Sequence, residues 1–282
     1  MLRRRVFCVL VLLLLSGCQS TGGTKYYKTP SAYTAESLVF FADEKTSRDI
    51  VFLVMHGKSS KPDASFRMDL YPELTDKGYE VIAPFMPWSK MWSGTPDDGK
   101  ALIDEIVDQV AHRGKKVVLV GHSLGGSNAL IYAAGKPNKG VIGIVTIAPG
   151  HMLHRSNRMQ RETAGSVDKA RQMVSAGNGN EKEYFSELNT GKVREVYMSA
   201  NTYLSYYDLD KFPDVELLLT KIKLPVLWIA GDQDRLTTVY DMEFMFEALP
   251  DNPDSRYTEI EGNPKSVLPN SAPYIIDWVE RL

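Results

Sequence analysis

Residues 50–55 (IVFLVM), 116–120 (KVVLV), 141–148 (VIGIVTIA) and 224–230 (LPVLWIA) are short apolar runs rich in β-branched side chains. Such runs are the pattern of strands buried on both faces. Residues 79–83, ending at Pro84, and 256–260 add two more strands, and 38–42 is placed beside 50–55. Between the strands the period changes to that of helices. Residues 96–113 carry Leu102, Ile103, Ile106, Val107 and Val110 on one face, and 65–77, 124–134, 239–249 and 271–282 also read as helices. Strands alternating with helices predict an α/β fold, a mostly parallel sheet covered by helices on both faces. Residues 151–223 break this rhythm. No convincing strand is seen there, and the stretch reads as several helices inserted between two strands, a helical cap over the sheet edge where sites form.

The first residues follow a different pattern. Arg3, Arg4 and Arg5 precede an uninterrupted apolar run over 6–15, followed by Leu15-Ser16-Gly17-Cys18. The run is too short to span a bilayer as a helix and matches the central region of a signal peptide. Its ending resembles the lipobox of bacterial lipoproteins. That resemblance implies cleavage after residue 17, lipidation of Cys18 and a polar, flexible tether over 18–35, leaving 36–282 as the folded domain. Gln19 after the cysteine implies sorting to the outer membrane in a Gram-negative cell. Cys8 would leave with the signal peptide and Cys18 would carry lipid, so the core must hold without a disulfide. Each buried methylene of the acyl chains contributes about 0.8 kcal/mol to anchoring.

Composition narrows the function. The chain has 282 residues, 43% hydrophobic and 24% charged, with a formal net charge of −2, and no basic tract outside the leader. A nucleic-acid partner is not implied. The five histidines are scattered without ligand spacing, so no metal or organic cofactor is implied. Oligomeric state leaves no mark in the sequence.

Candidate chemistry centres on Gly121-His122-Ser123-Leu124-Gly125, a G-x-S-x-G directly after one predicted strand and directly before a predicted helix. A serine on so tight a turn needs small neighbours two residues away on each side, and the helix that follows favours negative charge at its start. In this context the chain resembles the α/β-hydrolase superfamily over about 38–282. Met55-His56-Gly57 closes an apolar strand, as a His-Gly pair does in that superfamily ahead of the oxyanion hole. The resemblance implies that Ser123 is the nucleophile and that the N–H groups of Lys58 and Leu124 hold the oxyanion. One such donor is worth roughly 3–4 kcal/mol. It also implies an acid in the turn Gly231-Asp232-Gln233-Asp234, with Asp234 favoured over Asp232.

The superfamily's histidine is missing. The turn that would carry it reads Glu261-Gly262-Asn263-Pro264-Lys265-Ser266, and no histidine follows His154. Three readings stay open. His151 or His154 serves as base, from the end of strand 141–148. Lys265 serves as a desolvated base, although an ordinary lysine titrates near about 10.4. Or the protein has lost hydrolysis and binds or scaffolds instead, since a triad without its base can forfeit roughly 10⁶ in kcat. If active, the reaction is acyl transfer from an ester or thioester to water. The aromatic loop 85–92, with Trp88 and Trp92, and Tyr203, Tyr206 and Tyr207 in the insertion suggest an apolar, lipid-like or flat small-molecule substrate, or aromatics that tie cap to core.

Overall fold

The computed structural model describes residues 26–30, 36–40 and 46–282. Cys18, the leader and the greater part of the tether lie outside the described residues. Among the described residues no helix is long and apolar enough to cross a membrane.

Among the described residues ten strands are formed: β1 (Tyr26–Pro30), β2 (Glu36–Phe40), β3 (Ile50–Met55), β4 (Glu80–Pro84), β5 (Lys116–His122), β6 (Val141–Ile147), β7 (Lys182–Asn189), β8 (Lys192–Ser199), β9 (Val226–Gly231) and β10 (Arg256–Ile260). Helices α1 (Ser65–Met68) and α2 (Leu70–Thr75) precede β4, and α3 (Pro96–Ala111) precedes β5. Helix α4 (Leu124–Ala134) joins β5 to β6. Helices α5 (Asn157–Ser175), α6 (Ala200–Tyr207) and α7 (Val215–Leu219) lie between β6 and β9. Helices α8 (Arg235–Tyr240) and α9 (Met242–Glu247) precede β10, and α10 (Val267–Asn270) and α11 (Ala272–Val279) follow it.

Eight strands make one sheet in the order β1-β2-β4-β3-β5-β6-β9-β10. From β4 to β10 all pairings are parallel, and β1 and β2 add an antiparallel edge. Side-chain alternation along β3 builds two cores at once. Val51, Leu53 and Met55 face α3, α4 and the insertion, whereas Phe52 and Val54 face α2 and α11. Each fully buried aliphatic side chain contributes roughly 1.5–3 kcal/mol. The α/β architecture predicted from the periodicity is the one observed.

Four local expectations are corrected. The strand placed beside β3 pairs instead with β4, which comes later in the chain and inserts between them. Proximity in sequence does not fix neighbours when a crossover intervenes. The helix expected over 65–77 is two short helices meeting at Asp69, and that expected over 239–249 starts earlier and breaks at Asp241, whose φ is +51°. Most importantly, the insertion is not purely helical. Strands β7 and β8 form a hairpin with Thr190 and Gly191 at its tip, both at positive φ, +49° and +74°. Positive φ at both turn residues matches the twist of a tight hairpin. Its apolar residues alternate with many charges, so only one face reads as buried: Phe185, Val196 and Met198 point inward while Tyr184 and Tyr197 meet at a tilt outside.

The aromatic loop ties this insertion to the core. Trp92 meets Tyr206 edge-on at 4.9 Å, and Trp88 donates its indole N–H to the His56 carbonyl at 2.7 Å. Phe185, Tyr203 and Tyr207 stack in series at 4.5 Å spacings.

Candidate active site

Ser123 stands at the junction of β5 and α4 with φ 54° and ψ −120°, a strained conformation for a non-glycine residue. Its neighbours allow this only because they lack side chains. A Cβ on Gly125 would lie 2.6 Å from the Met55 carbonyl oxygen, and one on Gly126 would lie 2.6 Å from Thr146 Oγ1. The His-Gly loop approaches equally closely, since a Cβ on Gly57 would be 3.1 Å from the Ser123 Cβ. The loop after β6 closes the other side, where a Cβ on Gly150 would be 3.0 Å from Ser123 Oγ. Ser127 holds Gly150 by donating its hydroxyl to the Gly150 carbonyl.

Two backbone donors are left over beside this serine. Among the described residues, neither the Lys58 nor the Leu124 N–H is taken by a carbonyl or side chain. Leu124 opens α4, where the first N–H groups have no partner within the helix. His56 shapes the loop that carries Lys58. It is fully buried, donates from Nδ1 to the Gly57 carbonyl at 2.8 Å and accepts the Met86 N–H on Nε2 at 3.0 Å. Burial drives its pKa down to about 3, so the ring stays neutral.

The two acids differ sharply. Asp232 is exposed and accepts the Gly262 N–H at 2.9 Å, bracing β9 against the loop after β10. Asp234 is 4% exposed and caps α8, with Oδ1 accepting the Leu236 N–H at 2.9 Å. Its Oδ2 is buried with no partner among the described residues. This orphaned oxygen is an acceptor without the ring N–H that a histidine would bring. Burial raises the Asp234 pKa, against the lowering effect of the Leu236 N–H. A raised folded-state value means that folding takes up a proton, so stability falls as pH rises through that raised value. Asp234→Asn is therefore expected to be more heat-stable than the wild type at pH 7, by about 1 kcal/mol or roughly 2–4 °C. In thermal melts the difference should shrink as pH falls towards 4. An equal difference at both pH values would show that the charge of Asp234 is not the cause.

Among the described residues none of His151, His154 and Lys265 hydrogen-bonds Ser123, although His154 Nδ1 is buried without a partner. His151 is buried at φ +62°, donates from Nε2 to the Tyr206 carbonyl at 2.7 Å and accepts Lys58 Nζ on Nδ1 at 3.3 Å. Burial first, and then the lysine charge, hold its pKa well below the usual histidine value. His154 sits in a single 3-10 turn with Nε2 on the Leu209 carbonyl at 3.1 Å, beside Arg155, Asp214 and Glu216. Lys265 is exposed, which removes the desolvation its role requires. Its loop nonetheless docks at the elbow, because His122 donates from Nε2 to the Pro264 carbonyl at 2.6 Å while Arg67 approaches Nδ1 at 3.3 Å. Leu236 Cδ1 lies near Gly150 as well, placing an apolar side chain beside the serine.

One cluster was not visible in the sequence. Lys58 Nζ donates to the Leu188 carbonyl at 2.7 Å as well as to His151. The adjoining Ser59 donates to Glu187 at 3.3 Å and accepts the Trp92 indole at 2.9 Å. Tyr207 donates to the same carboxylate at 3.2 Å, and Glu187 is only 2% exposed. Consecutive residues of the hairpin thus clasp consecutive residues of the loop beside the serine. Only alternation within β7 hinted at Glu187, and that signal was hidden among its charged neighbours.

Comparison with known proteins agrees with this fold. No curated protein sequence matches the chain. Among solved structures, DcsB in complex with its substrate analogue superposes with a TM-score of 0.70 at 13% identity, over 92% of this chain and 99% of that one. Monoacylglycerol lipase from Paleococcus ferrophilus gives 0.63 at 20% identity, over 90% and 98%. Est1E from Butyrivibrio proteoclasticus gives 0.60 at 14% identity, over 92% and 100%. At these identities the likeness is one of fold. An esterase family also matches residues 10–149, and the serine aminopeptidase S33 family matches residues 88–263, more than half of the sequence. With its parallel sheet, its strained serine elbow and that match, the chain belongs to the serine aminopeptidase S33 family of α/β-hydrolases.

Proposed function

We propose that this protein is a serine hydrolase that cleaves carboxylic or thioesters through Ser123 and works at the cell envelope. The observation that carries the reading is the strained Ser123 between two unused backbone donors, the N–H groups of Lys58 and Leu124. Strain of this kind persists only where the surroundings over-determine it, and it gathers at functional sites. Ser123 Oγ attacks the acyl carbon, and the two N–H groups receive the developing oxyanion. The leaving alcohol or thiol departs with a proton, and water then releases the acid from the acyl-enzyme. The esterase family match and the esterase and lipase names among the fold relatives support an ester in place of a peptide bond. Trp92, Tyr206 and Tyr207 are buried against one another and tie the cap to the core, so they carry no information on the acyl group.

The test is hydrolysis of p-nitrophenyl esters of increasing acyl length, with fluorophosphonate labelling in parallel. Turnover and labelling that both depend on Ser123 are expected. A folded protein inert to both across pH 6–10 would point to a ligand-binding role instead, and the orphaned Asp234 and the missing histidine are what favour that second reading.

Envelope anchoring rests on the order of charge, apolar run and Leu15-Ser16-Gly17-Cys18 in the leader. Cys18→Ser is expected to lose incorporation of labelled palmitate and to move the protein from the membrane to the soluble fraction. Unchanged fractionation would remove lipid anchoring from the proposal.

A further inference from the structure

On the footing of that hydrolase reading, we propose that the ε-amine of Lys58, held by His151 and the cap hairpin, is the general base that replaces the absent histidine. The two nitrogens of His56 and of His122 are each engaged within the core, His151 uses one on Tyr206 and one on Lys58, and His154 faces the α7 side. His112 lies at the exposed end of α3, bonded to the Asp108 carbonyl. Lys265 is solvated.

Placement then selects Lys58. Its chain starts on the residue after Gly57, which abuts the Ser123 Cβ, and its Nζ reaches His151, the residue after Gly150, which abuts Ser123 Oγ. The amine is bracketed by the two backbone segments that enclose the serine. No carboxylate lies within 4 Å of it among the described residues, an unusual state for a buried ammonium. The neutral amine fits better. It has two N–H bonds and one lone pair, the Leu188 carbonyl and His151 Nδ1 are the two acceptors it needs, and the lone pair remains for a hydroxyl proton.

The groups facing Lys58 are His151 from the loop after β6, Glu187 from β7 and Tyr207 from α6, whose ring centroid is 5.5 Å from Nζ. Burial lowers the lysine pKa to about 8, against the raising effect of Glu187. Tyr207 is pushed well above its usual value and His151 well below, so neither titrates near 8.

The step balances without a co-reactant. Ser123 Oγ–H passes its proton to neutral Lys58 as Oγ bonds to the acyl carbon. The resulting ammonium returns that proton to the leaving oxygen or sulfur as its bond to the acyl carbon breaks. Lys58 then takes a proton from the incoming water and returns it to Ser123 as the acid leaves. The backbone N–H of the same residue remains free for the oxyanion.

The experiment compares wild type, Lys58→Met, Lys58→Arg and Lys58→Ala in ester hydrolysis, with thermal melts to confirm folding. Wild-type kcat/KM should rise with pH to a plateau through one ionisation near 8. Lys58→Met and Lys58→Arg should each lose about 10²–10⁴-fold, because a guanidinium keeps the charge but cannot accept the proton. Added ethylamine should restore at least part of the Lys58→Ala rate, and tetramethylammonium should not. Activity retained in Lys58→Arg would reduce Lys58 to a positive charge and overturn the inference, as would a wild-type profile flat through pH 8. Those results leave ester hydrolysis standing, whereas an inert wild type removes both. Should Lys58→Met or Lys58→Ala misfold, Lys58→Arg, which keeps the charge and nearly the length of the side chain, carries the comparison.

Discussion

Ser123→Ala is expected to lower kcat for ester hydrolysis by about 10⁴–10⁶ and to abolish fluorophosphonate labelling. The substitution removes one oxygen and little else. Among the described residues the hydroxyl donates no hydrogen bond that folding would lose, and alanine meets the same backbone strain at φ 54°. The melting temperature should therefore stay within about 2 °C of wild type. Ser123→Gly separates strain from chemistry. Glycine accepts positive φ without a Cβ penalty, so this variant should be equally inactive yet more stable, by roughly 1–2 kcal/mol. Matching activity in wild type and Ser123→Ala would place the chemistry elsewhere. A Ser123→Gly variant no more stable than wild type would mean that the elbow holds no strain worth releasing.

What the sequence disclosed follows a physical line. Strands buried on both faces carry uninterrupted β-branched runs, so β3, β5, β6 and β9 were visible. Helix α4 and strand β10 keep the bounds that their local patterns predicted. The hairpin β7–β8 was not visible, because half of each strand meets water and its charges mimic those of an exposed helix. The position of β4 between β2 and β3 was equally hidden, since strand order is settled by crossover packing and not by neighbouring residues. For the site the same division applies. Ser123, Leu124, Lys58 and Asp234 sit on turns whose chemistry is local. The contact of Lys58 with Leu188 spans 130 residues and that with His151 spans 93, and no local pattern reports either. The aromatic loop was legible as aromatic, but only packing showed Trp92 clasped between cap and core.

Gly121→Ala should damage the molecule more than any other single methyl group added to this turn. Gly121 is paired with Met55 on one side and Thr146 on the other, so its backbone cannot shift without disturbing three strands. A Cβ there would lie 2.3 Å from the Gly125 carbonyl oxygen and 2.6 Å from the Gly126 nitrogen, all backbone of the first turn of α4. No side chain can rotate away to make room. The helix would have to retreat from the strand, and Gly126, packed against Thr146, resists that movement. The cost should be about 3 kcal/mol, a fall of roughly 6–12 °C in Tm. Retreat of α4 would also carry the Leu124 N–H away from the oxyanion position. The folded fraction should thus lose about 10²-fold in kcat, the usual toll of a 1 Å misplacement. Gly114→Ala supplies the comparison. Gly114 has φ +75° and nothing within 4 Å of an added Cβ, so it should cost only the left-handed backbone penalty of about 1–2 kcal/mol and leave activity unchanged. Equal losses of stability at the two positions would mean that backbone conformation, and not the close approach of strand and helix, is what demands glycine at the elbow.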